Sequence, residues 1–505
     1  MSSADLEPTG LDEATGLDRR TLLKRGAAIG AGTLLFSSGA QALTARAALA
    51  KPGRRGQRLK APDNGGYGPI GPMKDNTTGL LLLHLPAGFE YASFGHSAEY
   101  ATKLGLPAKG SDGFPTPGRH DGMATFATDP DTPNIIKLVR NHEQGYVPVT
   151  VPVSTTGKAY DRTLIGNPDN AYDTKSAGGC TTLTFNTSTL TLTDSFISIN
   201  GTSVNCAGGL TPAGSWLTCE ETVNGTQNKF DKDHGYVFEV PSQGGPVTKP
   251  VPFRAMGRFA HEAVAVDPAT GTVYETEDNG KTSGFYRFLP DSPGNYTAGK
   301  LQMLAVKERP QFLTYEGVTD RVGNPFPVEW VDIANPDPAI PPPPPPPARG
   351  RRDQVFQQGF AQGGAAFARL EGAWYDGGSI FFNSTSGGDE GFGQIWEYRP
   401  RGRSGGQLIL IFESPNETVL DAPDNICVSP RGGLALCEDG DKDQFVRGLN
   451  ERGEIFDFAL NNISGNEDKE FAGACYSPDG DVMFVNVQTP GVSFAIRGPF
   501  GKGSL

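Results

Sequence analysis

Short apolar runs alternate with turn-forming residues along most of this chain, which is the pattern of β-strands joined by tight turns. Residues 205–222, NCAGGLTPAGSWLTCEET, are the clearest example, with a turn containing proline and glycine between two short β-rich runs. An antiparallel hairpin returns its exit to its entry. We therefore expect Cys206 and the Glu220–Glu221 pair to lie at the same end of a hairpin.

This hairpin unit occurs six times along the chain. Each copy has a polar entry, an apolar strand, a turn of Pro, Gly or Asp, a second strand and a polar or acidic exit. The copies begin at Asp121, Asn205, His261, Arg369, Asp421 and Phe471. Six units spaced by about 50 to 110 residues predict an all-β fold, a six-bladed β-propeller with loop insertions. A pair of large β-sandwiches is the alternative.

The composition agrees with a turn-rich β protein and limits the kinds of partner that the protein can bind. Among 505 residues there are 67 glycines and 41 prolines, while only 9% are aromatic. The net charge of −13 argues against nucleic acid as the target, because binding to a phosphate backbone requires basic surface. An acidic chain of this kind is suited to cations instead.

The N-terminus has the features of an export signal. Arg19 and Arg20 precede an apolar run rich in glycine and alanine at 26–35, and small residues follow it. This is typical of a twin-arginine signal peptide, here residues 1–50. The apolar run is too short for a permanent transmembrane anchor. We expect the twin-arginine export machinery as a partner and a periplasmic, cell-envelope or extracellular location.

The remaining chain is predicted to form one domain. Residues 51–75 are basic and rich in glycine and proline, which favours a loosely ordered segment, and 76–505 form the propeller domain, expected to be monomeric. Within it, 336–352 contain seven consecutive prolines at 341–347 and predict an extended surface insertion. The six cysteines allow up to three disulfides in an exported protein.

The repeat brings its polar ends together. In a propeller the first strand of each blade lines the central channel, so the six entries meet at one mouth and the hairpin exits return to it. The residues collected there are Asp121, Glu143, Cys206, Glu220, Glu221, Glu262, Glu275, Glu277, Asp278, Glu371, Asp424, Asn425 and Glu438. Crowded carboxylates raise one another's pKa values, and bound multivalent cations would remove that repulsion. Oxygen donors suit calcium, while a thiolate with carboxylates suits iron or another transition metal.

Six segments of the chain resemble the PhoX-type alkaline phosphatases. They are the twin-arginine leader, VRNHE (139–143), NCAGGLTPAGSWLTCEE (205–221), GRFAHEAVAVDP (257–268), RLEG (369–372) and FAGACYSPDGDVMFVNVQTPG (471–491). Together they span most of the chain after the leader. The resemblance implies a six-bladed propeller that carries an iron–calcium cofactor, Fe(3+) with Ca(2+), at one end of its channel.

The resemblance also implies roles for individual residues. The positions that match the family's ferric-ion ligands are Cys206, Glu262 and Glu371. Those that match its calcium ligands are Glu143, Glu220, Glu221, Glu277, Asp278 and Asp424. Arg369, two residues before Glu371, matches an arginine that contacts the phosphate.

The expected function is therefore hydrolysis of phosphate monoesters by an exported metal-dependent alkaline phosphatase, with small phosphate esters as substrates. A metal-bound oxide or hydroxide would act as the nucleophile, and Arg369 would bind a non-bridging phosphoryl oxygen. The chain has no GxSxG elbow, P-loop or HExxH motif. Two alternatives remain open: a calcium-stabilised propeller that binds a partner without catalysis, and a calcium-dependent lactonase. Neither of them requires a thiol at Cys206.

Overall fold

The computed structural model describes residues 59–146, 165–341 and 353–505. The predicted signal peptide at 1–50, the start of the 51–75 segment and most of the proline run lie outside the described residues. Of the 51–75 segment, residues 59–75 contain a 3-10 helix and the first strand. The helix is Pro62–Gly66, and the strands that follow are β1 (Ile70–Lys74), β2 (Leu81–Pro86) and β3 (Glu90–Phe94).

Helices are few and short in the described part of the chain. The α-helices are α1 (Ala98–Leu104) and α2 (Gln354–Phe360). The other 3-10 helices are Pro168–Asn170, Thr226–Asn228, Arg254–Met256, Thr319–Arg321 and Phe500–Lys502. None of the helices described is long and apolar enough to cross a bilayer. The other elements are strands in antiparallel sheets, so the all-β prediction is confirmed.

The remaining strands form six antiparallel meanders, of which the third and the fourth are joined edge to edge in one nine-stranded sheet. The first contains β4 (His120–Ala127), β5 (Ile135–His142), β6 (Gly178–Asn186) and β7 (Thr191–Thr202), and the second β8 (Asn205–Leu210), β9 (Ser215–Glu220) and β10 (Val237–Pro241). The third contains β11 (His261–Val266), β12 (Val273–Glu277), β13 (Phe285–Pro290), β14 (Gly299–Val306) and β15 (Pro325–Asp332). The fourth contains β16 (Leu370–Asp376), β17 (Ser379–Ser384), β18 (Gln394–Arg401) and β19 (Gly405–Glu413). The fifth contains β20 (Pro423–Val428), β21 (Leu434–Glu438), β22 (Phe445–Leu449) and β23 (Ile455–Asn461), and the sixth β24 (Phe471–Tyr476), β25 (Val482–Val487) and β26 (Val492–Arg497).

The first strands of the six meanders are neighbours in a closed circle. Strand β4 lies beside β8, β8 beside β11, β11 beside β16, β16 beside β20, β20 beside β24, and β24 beside β4. Strand β3, from the N-terminal part of the chain, completes the sixth meander by pairing with β26, with Ala92 opposite Ala495. Apolar side chains fill the spaces between meanders, as where the rings of Phe285 and Phe382 stack 4.3 Å apart. This burial stabilises the circle.

Each first strand has a β-bulge close to its beginning. In β4, His120 pairs with His142 and the next pair is Met123 with Arg140, so the two residues of β4 between these pairs face a single residue of β5. The same one-residue shift occurs in the first strands of the other five meanders. Bulges re-aim side chains next to functional sites. In five meanders the bulge carries an acid or a thiol, namely Asp121, Cys206, Glu262, Glu371 and Asp424, whereas the bulge of β24 has Gly473 and Ala474.

Polar side chains of neighbouring meanders bind the backbone carbonyls at these bulges. Each donor lies on the second strand of the preceding meander. The donors and the residues whose carbonyls they bind are Asn141 and Cys206 (2.8 Å), Thr276 and Glu371 (2.6 Å), Asn383 and Asp424 (2.5 Å), and Asn486 and Asp121 (2.5 Å). A bulge leaves backbone groups outside the strand ladder. The amide and hydroxyl donors satisfy them and fix each bulge relative to the next meander.

Candidate metal centre

One thiol and six carboxylates meet at one end of the circle. They form three overlapping groups, within each of which the candidate ligand atoms lie within 4.8 Å of one another. The groups are Asp121, Glu143 and Cys206; Cys206, Glu221 and Glu262; and Glu262, Glu371 and Asp424. Because Cys206 and Glu262 each belong to two groups, the donors form one continuous centre. Five of the six meanders contribute to it.

The hairpin geometry explains which residues reach the centre. Asp121 and Cys206 lie at the bulges of β4 and β8, while Glu143 and Glu221 directly follow the paired strands β5 and β9. Entry and exit of an antiparallel hairpin share one end, and Cys206 Sγ accordingly lies 3.0 Å from Glu221 Oε2. The centre is therefore built from repeated hairpin ends.

Glu220 does not join its neighbour Glu221 in the centre. Its carboxylate accepts hydrogen bonds from the backbone N–H groups of Ser203 (2.9 Å) and Gly235 (2.8 Å) and contacts His234 Nδ1 at 2.7 Å. Successive side chains of a strand point to opposite faces, so only one of two adjacent acids can face the mouth. Glu220 therefore forms a buried ion pair with His234 and lies outside the three donor groups.

The second adjacent pair, Glu277 and Asp278, is divided in the same way. Glu277 accepts hydrogen bonds from the Gly284 N–H (3.0 Å) and the Tyr286 hydroxyl (2.6 Å) and is outside the three groups. Asp278 faces the mouth but accepts from Arg369 Nε at 3.1 Å. Thus neither residue of this pair, both expected among the calcium ligands, belongs to the donor groups.

Two further acids expected at the mouth also have partners elsewhere. Glu275 contacts His261 Nε2 at 3.0 Å, and Glu438 accepts from Arg447 Nε at 2.8 Å. Both carboxylates are buried. The guanidinium of Arg447 compensates the charge of Glu438, whereas burial raises the pKa of Glu275 well above its usual range and favours its neutral form.

Arg369 lies at the rim of the centre, as expected for a residue that contacts substrate. Its Nη2 donates to Glu371 Oε1 at 2.6 Å, its Nε donates to Asp278, and 38% of its side chain is exposed. The carboxylate of Glu371, with that of Asp278, raises the pKa of Arg369 above its usual value. The guanidinium is therefore charged, anchored on one edge and accessible on the other.

Asp121 and Arg119 have larger roles in the centre than the sequence indicated. Asp121 was expected at the mouth but not among the metal ligands, and it lies in the group with Glu143 and Cys206. Arg119 forms an ion pair with Glu143. The sequence contains a pattern that could have indicated these roles, because the Arg-x-acid pattern at 119–121 repeats the one at 369–371.

The electrostatics of the centre favour bound cations. Burial, and then neighbouring carboxylates, raise the pKa values of Cys206, Glu262 and Glu371 well above their usual ranges. Within the described residues, Glu262 Oε2 is buried and has no hydrogen-bond partner. Buried ionised acids require a counter-charge or a coordinated metal. The donor set fits both proposed kinds of ion, because oxygen ligands suit calcium and a thiolate with carboxylates suits iron.

Metal-free protein is expected to gain thermal stability as the pH falls from about 8 to about 5. Burial raises the pKa of Asp424 to about 7, above the value of about 3.9 in an unfolded chain. A raised folded-state pKa contributes stability that is fully present below the unfolded value and is lost as pH rises through the folded value. With cations bound, protons compete for the same oxygens, so acidification should lower stability instead.

Melting temperatures across this pH range, measured with and without a chelator, test the sign of both slopes. Parallel slopes, or a metal-free protein that melts at lower temperature in acid, would contradict the prediction.

The two adjacent glutamates provide a matched pair of variants. We expect Glu221→Gln to lose bound metal while the fold persists. Glu220→Gln should keep its metal but lose about 3 kcal/mol of unfolding free energy, at the low end of the cost of breaking a buried ion pair. Elemental analysis and denaturant unfolding of both variants measure the contrast. Equal metal loss in the two would show that the pair is not divided by strand alternation.

The six cysteines are free and buried. None of the disulfides that their even number allowed is formed. Cys206 differs from the other five because it alone belongs to the groups of candidate metal ligands in the described residues.

A family model described as "Alkaline phosphatase PhoX" matches residues 184–491, more than half of the chain. The match contains Cys206, Glu221, Glu262, Arg369, Glu371 and Asp424. Asp121 and Glu143 precede it. No protein of curated function matches the chain significantly.

Solved structures give remote matches. A putative gluconolactonase is 11% identical, with 85% of this chain and 98% of that chain covered and a TM-score of 0.38. A gluconolactonase from Xanthomonas campestris is also 11% identical, with 76% and 97% covered and a TM-score of 0.34. The β-propeller domain of Cps50 (Swd1) from Myceliophteria thermophila is 9% identical, with 76% and 98% covered and a TM-score of 0.36. At these scores none of the three supports a conclusion about function.

Proposed function

The chain belongs to the alkaline phosphatase PhoX family, and from this premise we propose that it is an exported metal-dependent phosphatase that hydrolyses phosphate monoesters. The observation that carries the proposal is the convergence of the Cys206 thiol with six carboxylates beside an anchored, accessible arginine. The closed circle of six meanders is proposed to be a six-bladed β-propeller, with the centre at one end of its channel.

The proposed cofactor contains Fe(3+) and Ca(2+). Cys206, Glu262 and Glu371 are the proposed iron ligands, and Asp121, Glu143, Glu221 and Asp424 supply further oxygen donors for calcium. Such ions, when bound, attract the phosphoryl oxygens and lower the pKa of a bound water. Glu220, Glu277 and Asp278 have hydrogen-bond partners outside the three donor groups, so we leave them out of the proposed calcium set.

Residues of the chain itself would bind and orient the phosphate. The fork of Arg369 is held by Glu371 and Asp278 through Nη2 and Nε. Its Nη1 has no hydrogen-bond partner among the described residues, so it is available to a non-bridging phosphoryl oxygen. Because the guanidinium is fixed before substrate arrives, little reorganisation is needed as charge develops on the phosphoryl group. The carboxylates would serve as ligands and not as proton donors.

Export through the twin-arginine pathway remains part of the proposal. The arginine pair and apolar run that support it lie at 19–35, outside the described residues. The expected location is the periplasm, cell envelope or extracellular space, and the protein is expected to act as a monomer.

Elemental analysis and a phosphatase assay on the same preparation test the function. Protein purified without chelators should contain iron and calcium and release phosphate from p-nitrophenyl phosphate. Its activity should disappear when the metals are removed and return when both are restored. Calcium without a transition metal, together with no phosphate release, would overturn the proposal and favour a binding propeller or a lactonase.

A further inference from the structure

The two arginines at the mouth occupy equivalent positions in different meanders. Arg119 lies two residues before Asp121 at the bulge of β4, and Arg369 lies two residues before Glu371 at the bulge of β16. Both have left-handed backbone conformations, with φ of 50° and 49°. The carbonyl of each accepts a hydrogen bond from the residue after the second strand: Glu143 N–H at 2.9 Å for Arg119 and Thr385 N–H at 2.8 Å for Arg369.

The two side chains use the same two nitrogen atoms for their contacts within the protein, although their partners differ. Arg119 Nε donates to the Glu143 carbonyl at 2.7 Å and its Nη2 to the Glu143 carboxylate. Arg369 likewise uses Nε and Nη2 for carboxylate contacts. In both, Nη1 has no hydrogen-bond partner within the described residues, and the exposed fractions of the side chains are 37% and 38%. Each arginine thus presents one free donor edge to solvent at the mouth.

The two arginines lie on different sides of the circle of first strands. Passing from β4 to β16 takes three steps in either direction, through β8 and β11 or through β24 and β20. Arg119 and Arg369 therefore lie on opposite meanders. The equivalent positions in the other four are Val204, Ala260, Ala422 and Glu470. A single phosphate bound at Arg369 leaves Arg119 free to bind another anionic group.

We propose that Arg119 forms a second anion subsite opposite Arg369, and that the protein prefers phosphate esters carrying a second phosphate across a small scaffold. This inference rests on the proposed function. The two N–H groups of the free Nη1, together with the permanent positive charge of the guanidinium, can bind the oxygens of a phosphate. In the reaction, a water oxygen bonds to the phosphorus held near Arg369 while the P–O bond to the scaffold breaks. A proton of that water passes to the departing alkoxide. The second phosphate stays at Arg119 and is not cleaved in that step.

Fructose 1,6-bisphosphate and fructose 6-phosphate form a matched pair of probes, since they differ by one phosphate. Wild-type holoprotein should have a kcat/KM at least tenfold higher for the bisphosphate. Arg119→Gln should lower the ratio of the two kcat/KM values at least tenfold, mainly through KM for the bisphosphate. Arg401→Gln, at an exposed arginine of β18 that contacts Gln407, is the control and should leave the ratio as in wild type.

Metal content separates this role from simple support of Glu143. If Arg119→Gln loses iron or calcium and kcat/KM falls by the same factor for both substrates, Arg119 is a positioning residue for Glu143 and the subsite is refuted. An unchanged ratio with full metal content also refutes it. If wild type hydrolyses neither sugar phosphate, the proposed function fails instead. Calorimetric binding of fructose 1,6-bisphosphate then decides the subsite: weaker binding by Arg119→Gln supports it, and equal binding overturns it.

Discussion

Cys206→Ser protein is expected to fold normally, contain no iron and show almost no phosphatase activity. The thiol lies within 4.8 Å of donor atoms in two separate groups, so it joins the first part of the centre to the second. A hydroxyl is a harder and weaker ligand than a thiolate for a transition metal. Loss of an outer-shell partner alone costs about 10- to 100-fold in metal affinity, and loss of a direct shared ligand should cost more.

Cys475→Ser is the matched control for this variant. Cys475 is also a buried free thiol on a first strand, but it packs among apolar side chains such as Phe94 and Phe484. It should lose some stability and keep its iron. Metal analysis, circular dichroism and phosphate release on both proteins give the comparison. Iron retained in Cys206→Ser would remove this thiol from the ligand set and require a different site.

Arg369→Ala is expected to lower kcat/KM for phosphate monoesters by about 100- to 1,000-fold, the usual cost of removing one preorganised donor to a developing oxyanion. The fork is fixed by Glu371 and Asp278 before substrate binds. Because Arg369 is at the rim and not in the donor groups, metal content should stay near that of wild type. Steady-state kinetics and elemental analysis measure both quantities.

Arg369→Lys distinguishes charge from geometry. Lysine keeps a positive charge but cannot hold two carboxylates and a phosphate oxygen with one planar group. We expect it to recover only part of the lost activity. Full recovery would mean that Arg369 acts as a point charge, whereas metal loss in either variant would mean that it supports the ligands and does not contact substrate.

The sequence was informative about the hairpins because each one is local. The apolar alternation and turn residues around 205–222 indicate two strands, and antiparallel pairing then places Cys206 near Glu221 without any knowledge of the other meanders. Repetition of the unit extends this argument to Glu262, Glu371 and Asp424. These five residues lie at hairpin ends, and the structure brings all of them into the centre.

The distinction between adjacent acids could not be read from the same pattern. Glu220 and Glu221 are identical in type. Which of them faces the mouth depends on the register of β9 against β8, and the bulge of β8 changes that register by one residue. The orientation of Glu220 is fixed by backbone N–H groups outside the hairpin, those of Ser203 and Gly235, which donate to its carboxylate. Likewise, the role of Asn141 depends on the carbonyl of Cys206 in the next meander. Such contacts exist only in the assembled fold.

The construction of the centre from five meanders determines when it can form. No single hairpin holds a complete donor group, since even the group of Asp121, Glu143 and Cys206 requires two meanders. The sixth meander is also completed only when β3, from the beginning of the described chain, pairs with β26 at its end. Metal capture is therefore a late event that follows nearly complete folding of the chain. Under the proposed function, the metals must be supplied where the chain folds, and a transport route that unfolds its cargo would release any metal bound before transport.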